Sequence, residues 1–134
     1  MKTLNWNKHA AMGAVYAGLA VALGAFGAHG LEGTITAERL ATYETAARYQ
    51  MYHALGLLLV ALLAGRLPAA SKFAWACRLL HAGIWLFSGS LYALVLSDVS
   101  ALGAITPLGG LCWIAAWVLT AAGLWSGARS DNPR

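Results

Sequence analysis

The sequence predicts an all-α integral membrane protein, a bundle of four transmembrane helices with both termini in the cytoplasm (N-in/C-in). Three observations predict it. First, the 134 residues are 60% hydrophobic and only 10% charged, where a soluble domain carries about 25% charged residues. Second, Asp, Glu, Lys and Arg are absent from His9 to Leu31, Tyr49 to Gly65, Leu79 to Ser97 and Val99 to Ala128. A bilayer-spanning helix needs about 20 apolar residues, and a helix satisfies its own backbone polar groups in lipid. Third, the nine Lys and Arg are unevenly distributed between the loops.

The expected spans are about 9–30, 37–64, 72–97 and 107–127, in one domain of residues 1–134. Span one opens with Lys2 and Lys8 and contains Ala25-Phe26-Gly27, a small-x-small sequence. Its apolar stretch exceeds the 7–15 residues usual in a signal peptide, so it is read as a retained helix. Thr34 or Thr36 caps the second helix, and Glu38 suits its first turn. That helix runs unbroken past Glu44 and Arg48, so it extends beyond the outer membrane face before Gly65 and Pro68 end it. Ser71 is the expected cap of the third helix. Thr106 followed by Pro107 places the start of the fourth.

Lys2, Lys8, Arg66, Lys72, Arg78, Arg129 and Arg134 fall on one side of these spans, and only Arg39 and Arg48 on the other. The positive-inside rule makes the first side cytoplasmic. Trp6, Trp75 and Trp125 agree, since indole rings favour the boundary. The expected location is the bacterial inner membrane. The net charge of +4 is then topological, and no nucleic acid partner is expected. Cys77 and Cys112 fall near opposite ends of their helices. At 1.5 Å per residue they lie about 20 Å or more apart, too far for a disulfide.

Helix one carries two rows of small residues three or four apart. Ala10, Ala14, Gly18 and Ala22 form one; Gly13, Ala17, Ala20, Gly24 and Ala28 are read as the other. Such rows let helices approach closely. Two adjacent rows predict contact on both sides, which would make helix one central, with a homodimer seam as the alternative.

Polar groups in membrane helices are costly and need partners. Thr42, Thr45, Tyr49 and His53 make a polar stripe at helical spacing. The candidate binding site is an outer polar cluster of His29, Glu44, Arg48, Gln50, His53 and Asp98. Arg48 is expected to pair with Glu44 or Asp98, His29 or His53 to hydrogen-bond within the cluster, and Arg39 to face solvent. The four histidines also permit a haem reading, but His9 and His81 are placed at the inner rim and His29 and His53 at the outer. Interfacial hydrogen bonding fits them better. Ser88 and Ser90 are expected to bond across helices or to their own carbonyls. No catalytic residues, metal site or cofactor are expected, because no nucleophile–base pair, phosphate loop or HExxH is present.

Four segments carry a family resemblance: Gly24-Ala25-Phe26-Gly27-Ala28-His29-Gly30-Leu31, the run from Tyr43 to Ala54, Leu86 to Tyr92, and Thr106-Pro107-Leu108-Gly109-Gly110. Together they resemble the YgdD/YwdK-like family of small bacterial inner-membrane proteins, which has mitochondrial relatives. The resemblance covers about residues 9–126. It implies a four-helix membrane protein of a family of unknown function, with no catalytic role to carry over. The reading that follows is a non-enzymatic structural, scaffold or accessory membrane subunit in contact with the lipid bilayer, in a homo-oligomer or larger complex. The alternatives are a module that binds or transports a lipid or small amphiphile at the outer rim, and a haem or quinone redox protein.

Overall fold

The computed structural model describes residues 5–130 of the chain. Lys2 and Arg134, which contribute to the charge asymmetry, lie outside these residues. Four helices are long and apolar enough to cross a membrane: α1 (Trp6–Leu31), α2 (Ala37–Ala64), α3 (Ala70–Ser97) and α4 (Thr106–Ser130). A short 3-10 turn, Ser100–Ala104, leads into α4. The all-α class with four apolar spanning helices is the expected one.

Local chemistry sets the helix ends. The Asn5 side chain accepts from the Lys8 amide at the start of α1. The Thr36 hydroxyl accepts from the Arg39 amide and caps α2, while Thr34 instead donates to Leu31 O. The 28 residues of α2 make it about 42 Å long, roughly 12 Å more than the hydrocarbon core. Gly65 closes it through its amide to Ala61 O. The start of α3 differs from expectation: it begins at Ala70 behind Ala69, which is left-handed at φ 72°, with no side-chain cap. Ser71 is already inside the helix. Thr106 begins α4, but its hydroxyl bonds to Ser90 Oγ at 2.6 Å, so it ties α4 to α3.

Trp6 meets Gly65 and Lys72 bonds to Ser126, so the start of α1, the end of α2, the start of α3 and the end of α4 share one end of the bundle. This is the termini end. At the far end Arg39 of α2 reaches Asp98, just past α3.

The central helix is α2, not α1. Half of the apolar window of α2 is buried, against 28% in α1 and 17% in α4. The main core joins Ala54, Leu57, Val60 and Ala61 of α2 to Phe73, Cys77 and Leu80 of α3 and Trp113 and Ala116 of α4. A smaller cluster of Leu31, Tyr43 and Val95 closes the far end. On α1 the two small-residue rows have different fates. Gly13 packs so closely on α2 that a Cβ there would lie 2.8 Å from Ala54 O and Leu58 N. Gly18 has open space where its Cβ would be, and Ala14 and Ala22 are exposed. Beyond Ala10, which is buried, that row faces outward. The helix presents one packed side, not two: α2 takes most of its close packing, and α3 meets the same side through ring contacts such as Tyr16 with His81. Gly83 of α3 leaves room for the Trp113 indole, and Gly109 of α4 lets that helix reach the Phe87 backbone.

Candidate functional site

The polar residues organise around the bundle interior rather than its outer rim. The Gln50 amide, buried on α2, donates to Tyr16 O of α1 at 2.9 Å and accepts from the Tyr92 hydroxyl of α3 at 2.9 Å. One side chain thus ties three helices. Nearby, Ser88 donates to Ala46 O at 2.8 Å, a cross-helix bond of the expected kind. Ser90 donates to Phe87 O, its own helix, at 3.0 Å.

Beside Gln50 lies a cleft of about 150 Å³. Tyr16, Leu19 and Leu23 of α1 form one wall; Trp85 and Tyr92 of α3 form the other. Leu19 and Trp85 are exposed and stand at its mouth. No charged side chain lines it. The α3 wall is locally π-helical from Ile84 to Gly89, and Ile84, Trp85 and Gly89 of that segment all line the cleft. An extra residue in a helical turn re-aims the side chains around it, and such bulges are frequent at functional sites.

A chain of polar rings leads from this cleft toward the termini end. Trp85 Nε1 donates to the Tyr16 hydroxyl at 3.1 Å. That hydroxyl lies 3.1 Å from His81 Nδ1, and His81 Nε2 lies 3.1 Å from His9 Nδ1. His9 is within the first turn of α1 and touches the Trp6 ring. The expectation placed His9 and His81 at one depth; the structure brings them into contact. They stand 72 positions apart in the chain, so only the parallel packing of α1 and α3 could pair them. The bond between the two rings occupies one nitrogen of each.

The six expected site residues do not come together. Gln50 serves the cleft as described. His53 lies about 16 Å along α2 from Ala64, in the middle of the span rather than at the outer boundary. Its Nδ1 donates to Tyr49 O at 2.7 Å, and its ring lies flat on Trp113 of α4. Asp98 is 4.0 Å from Arg39, not paired with Arg48, because the αL turn at Asp98 (φ 60°) points it to the first turn of α2. Arg39 also donates to Val95 O and is only 33% exposed, contrary to the solvent-facing role expected of it. Glu44, Arg48 and His29 are exposed. Arg39–Asp98 is the one ion pair within 4.0 Å among the described residues. Thr42 and Thr45 bond back to Glu38 O and Ala41 O, so that stripe satisfies itself within its own helix.

Both cysteines are free, Cys77 buried and Cys112 partly so. Among the described residues no group of three or more His, Cys, Asp or Glu could hold a metal ion.

Sequence reasoning missed Tyr16, Trp85 and Tyr92 as site residues. Single aromatic residues in apolar helices carry no motif, and the useful signal was depth: Tyr16, His81 and Trp85 fall at one level once α1 and α3 are known to run parallel.

Relatives resemble the chain along most of its length. The UPF0382 membrane protein YwdK of Bacillus subtilis (strain 168) is 54% identical over 108 residues, covering 81% of this chain and 88% of the relative. The UPF0382 membrane protein SAB0533 of Staphylococcus aureus (strain bovine RF122 / ET3-1) is 47% identical over 108 residues, 81% of this chain and 87% of the relative. The UPF0382 membrane protein SSP2132 of Staphylococcus saprophyticus is 46% identical over 112 residues, 84% of this chain and 92% of the relative. No solved structure matches. A family model described as "Protein of unknown function (DUF423)" matches residues 23–110, a stretch that holds the far end of α1, all of α2 and α3 and the start of α4. This chain is a membrane protein of the DUF423 family.

Proposed function

We propose that this chain is a non-enzymatic, multi-pass protein of the bacterial inner membrane, with both termini cytoplasmic, that accommodates a membrane-borne amphiphile. The observation that carries the reading is the uncharged cleft between α1 and α3, with the hydrogen-bonded Gln50 and Tyr92 at its edge. Its apolar walls suit a hydrocarbon tail or ring, and its few polar groups suit a neutral headgroup. The amphiphile alternative therefore moves from the outer rim to mid-bundle, because the rim residues Glu44, Arg48 and His29 are exposed and do not converge.

Native mass spectrometry from mild detergent tests it. The wild-type chain is expected to retain a small amphiphile, and Leu19→Trp, which fills the mouth of the cleft, to release it. Leu59→Trp, on an exposed face of α2, should keep it. Equal retention by both variants, or none by the wild type, overturns the reading.

The accessory-subunit reading has its own support in the outward row Ala14, Gly18 and Ala22 of α1, which would admit a close helix from a second copy or a larger assembly. A higher oligomer that Gly18→Leu disrupts would favour it.

A further inference from the structure

We propose that Tyr16, His81 and His9, oriented by the Trp85 indole, form a directed proton path from the cleft to the termini end of the bundle, and that the cleft takes a hydroxyl-bearing single ring on an apolar tail. This rests on the cleft being a binding site and adds the ligand class and the path.

The direction follows from donor arithmetic. An indole N–H only donates, so the Tyr16 oxygen accepts from Trp85. The Tyr16 proton is then free to donate to the nitrogen 3.1 Å away, His81 Nδ1. A neutral imidazole carries one N–H, so the His81 proton sits on Nε2 and is donated to His9 Nδ1. The His9 proton is left on Nε2. Every group in the chain donates toward the termini end. The opposite polarity would send protons from His9 to His81 and on to Tyr16, leaving the Tyr16 hydroxyl proton without a partner in the row.

His53 carries the contrasting arrangement. Its Nδ1 lies on the Tyr49 carbonyl, which only accepts, so the proton there is on Nδ1. The half-buried His9–His81 pair and the buried His53 therefore hold opposite tautomers, each fixed by its neighbour.

The ligand class follows from the cleft. An apolar cavity of about 150 Å³ holds one benzene-sized ring, and this cleft is of that size. Its lining carries no cation to hold a carboxylate or phosphate. Tyr16 and Trp85 both line it and are bonded to each other, so the start of the path is part of the cleft wall. In the exchange step the ligand O–H bond breaks and its proton passes to the Tyr16 oxygen as the Tyr16 proton passes to His81 Nδ1. The His81 Nε2 proton moves to His9 Nδ1, and the His9 Nε2 proton leaves to water. The ligand oxygen then takes a proton back along the same row from water, so the exchange is degenerate: one ligand proton is replaced by one from water, no electron is transferred and no anion is left in the uncharged cleft. Trp6 and Arg78 stand beside His9 at the exit of the path.

The test uses the full chain, ¹⁵N-labelled at histidine, in lipid nanodiscs, with 4-nonylphenol as probe and its O-methyl ether as the proton-free control. NMR is expected to show His9 and His81 as Nε2–H and His53 as Nδ1–H. Both probes should bind, and only the phenol should broaden the His9 and His81 signals by proton exchange. Tyr16→Phe keeps the ring that shapes the cleft, so it should keep binding and abolish the broadening. If neither probe binds, the ligand class fails, and the cleft reading fails with it only where the wild-type chain also retains no amphiphile in native mass spectrometry. If both bind but the ether broadens the signals equally, or Tyr16→Phe leaves the broadening intact, the path fails and the cleft stands. A Nδ1–H tautomer at His81 also overturns the path.

Discussion

The His53 and Trp113 rings lie 3.6 Å apart between centroids with 5° between their planes. They join α2 to α4 in the middle of the membrane span. Tyr49 stacks on the same pair at 6.1 Å from Trp113 and 12° from the His53 plane, and Phe87 of α3 closes the group at 4.7 Å from Trp113. The Trp113 indole donates to Leu80 O, so the stack is anchored at both edges. Aromatic pairs of this kind contribute about 0.5–1.5 kcal/mol beyond their buried area.

His53 is therefore a packing residue first. His53→Ala is expected to destabilise by about 3 kcal/mol, in the range of truncating a buried aromatic ring. His53→Phe keeps the stack and loses only the bond to Tyr49 O, so it should cost about 1 kcal/mol. Thermal unfolding in detergent would measure both. Equal losses for the two variants would mean that the hydrogen bond, not the stack, holds the site.

Helix α1 separates two glycines that look alike in sequence. Gly13→Ala places a methyl group against the α2 backbone, and overpacking costs about 1–3 kcal/mol. Gly18→Ala meets nothing and replaces a poor helix former, so stability should hold or rise. A loss at Gly18 equal to that at Gly13 would show that the outward row is covered in the assembled protein.

At the far end, Arg39→Ala should cost about 1 kcal/mol more than Arg48→Ala. Asp98 is 85% exposed, so its ion pair adds little. The Arg39 bond to Val95 O carries the difference, as a charged donor on a partly buried carbonyl. Chemical unfolding of both variants, with Asp98→Asn as a near-neutral third, separates the carbonyl bond from the ion pair.

Reporter fusions check the orientation. Fusions after Ala69 and at the C-terminus are expected to read cytoplasmic, and one after Ser100 periplasmic. A cytoplasmic signal at Ser100 would overturn the proposed orientation.

The sequence by itself determined the class, the number of spans and most of their ends. Membrane helices are written locally: long charge-free runs, Thr34 or Thr36 as a cap, of which the structure selects Thr36, and Gly65 with Pro68 as a stop. The second span, 37–64, coincides with Ala37–Ala64. Tertiary structure decided which polar groups meet. Gln50 was singled out by its cost in lipid, but its partners Tyr16 and Tyr92 belong to other helices. Arg48 looked like the natural partner of Asp98, yet the αL turn at Asp98 selects Arg39. His9 and His81 meet only because α1 and α3 run side by side in the same direction. In lipid the apolar faces of helices look alike from the sequence. Small residues and paired polar groups choose the neighbours, and those choices are made between segments far apart in the chain.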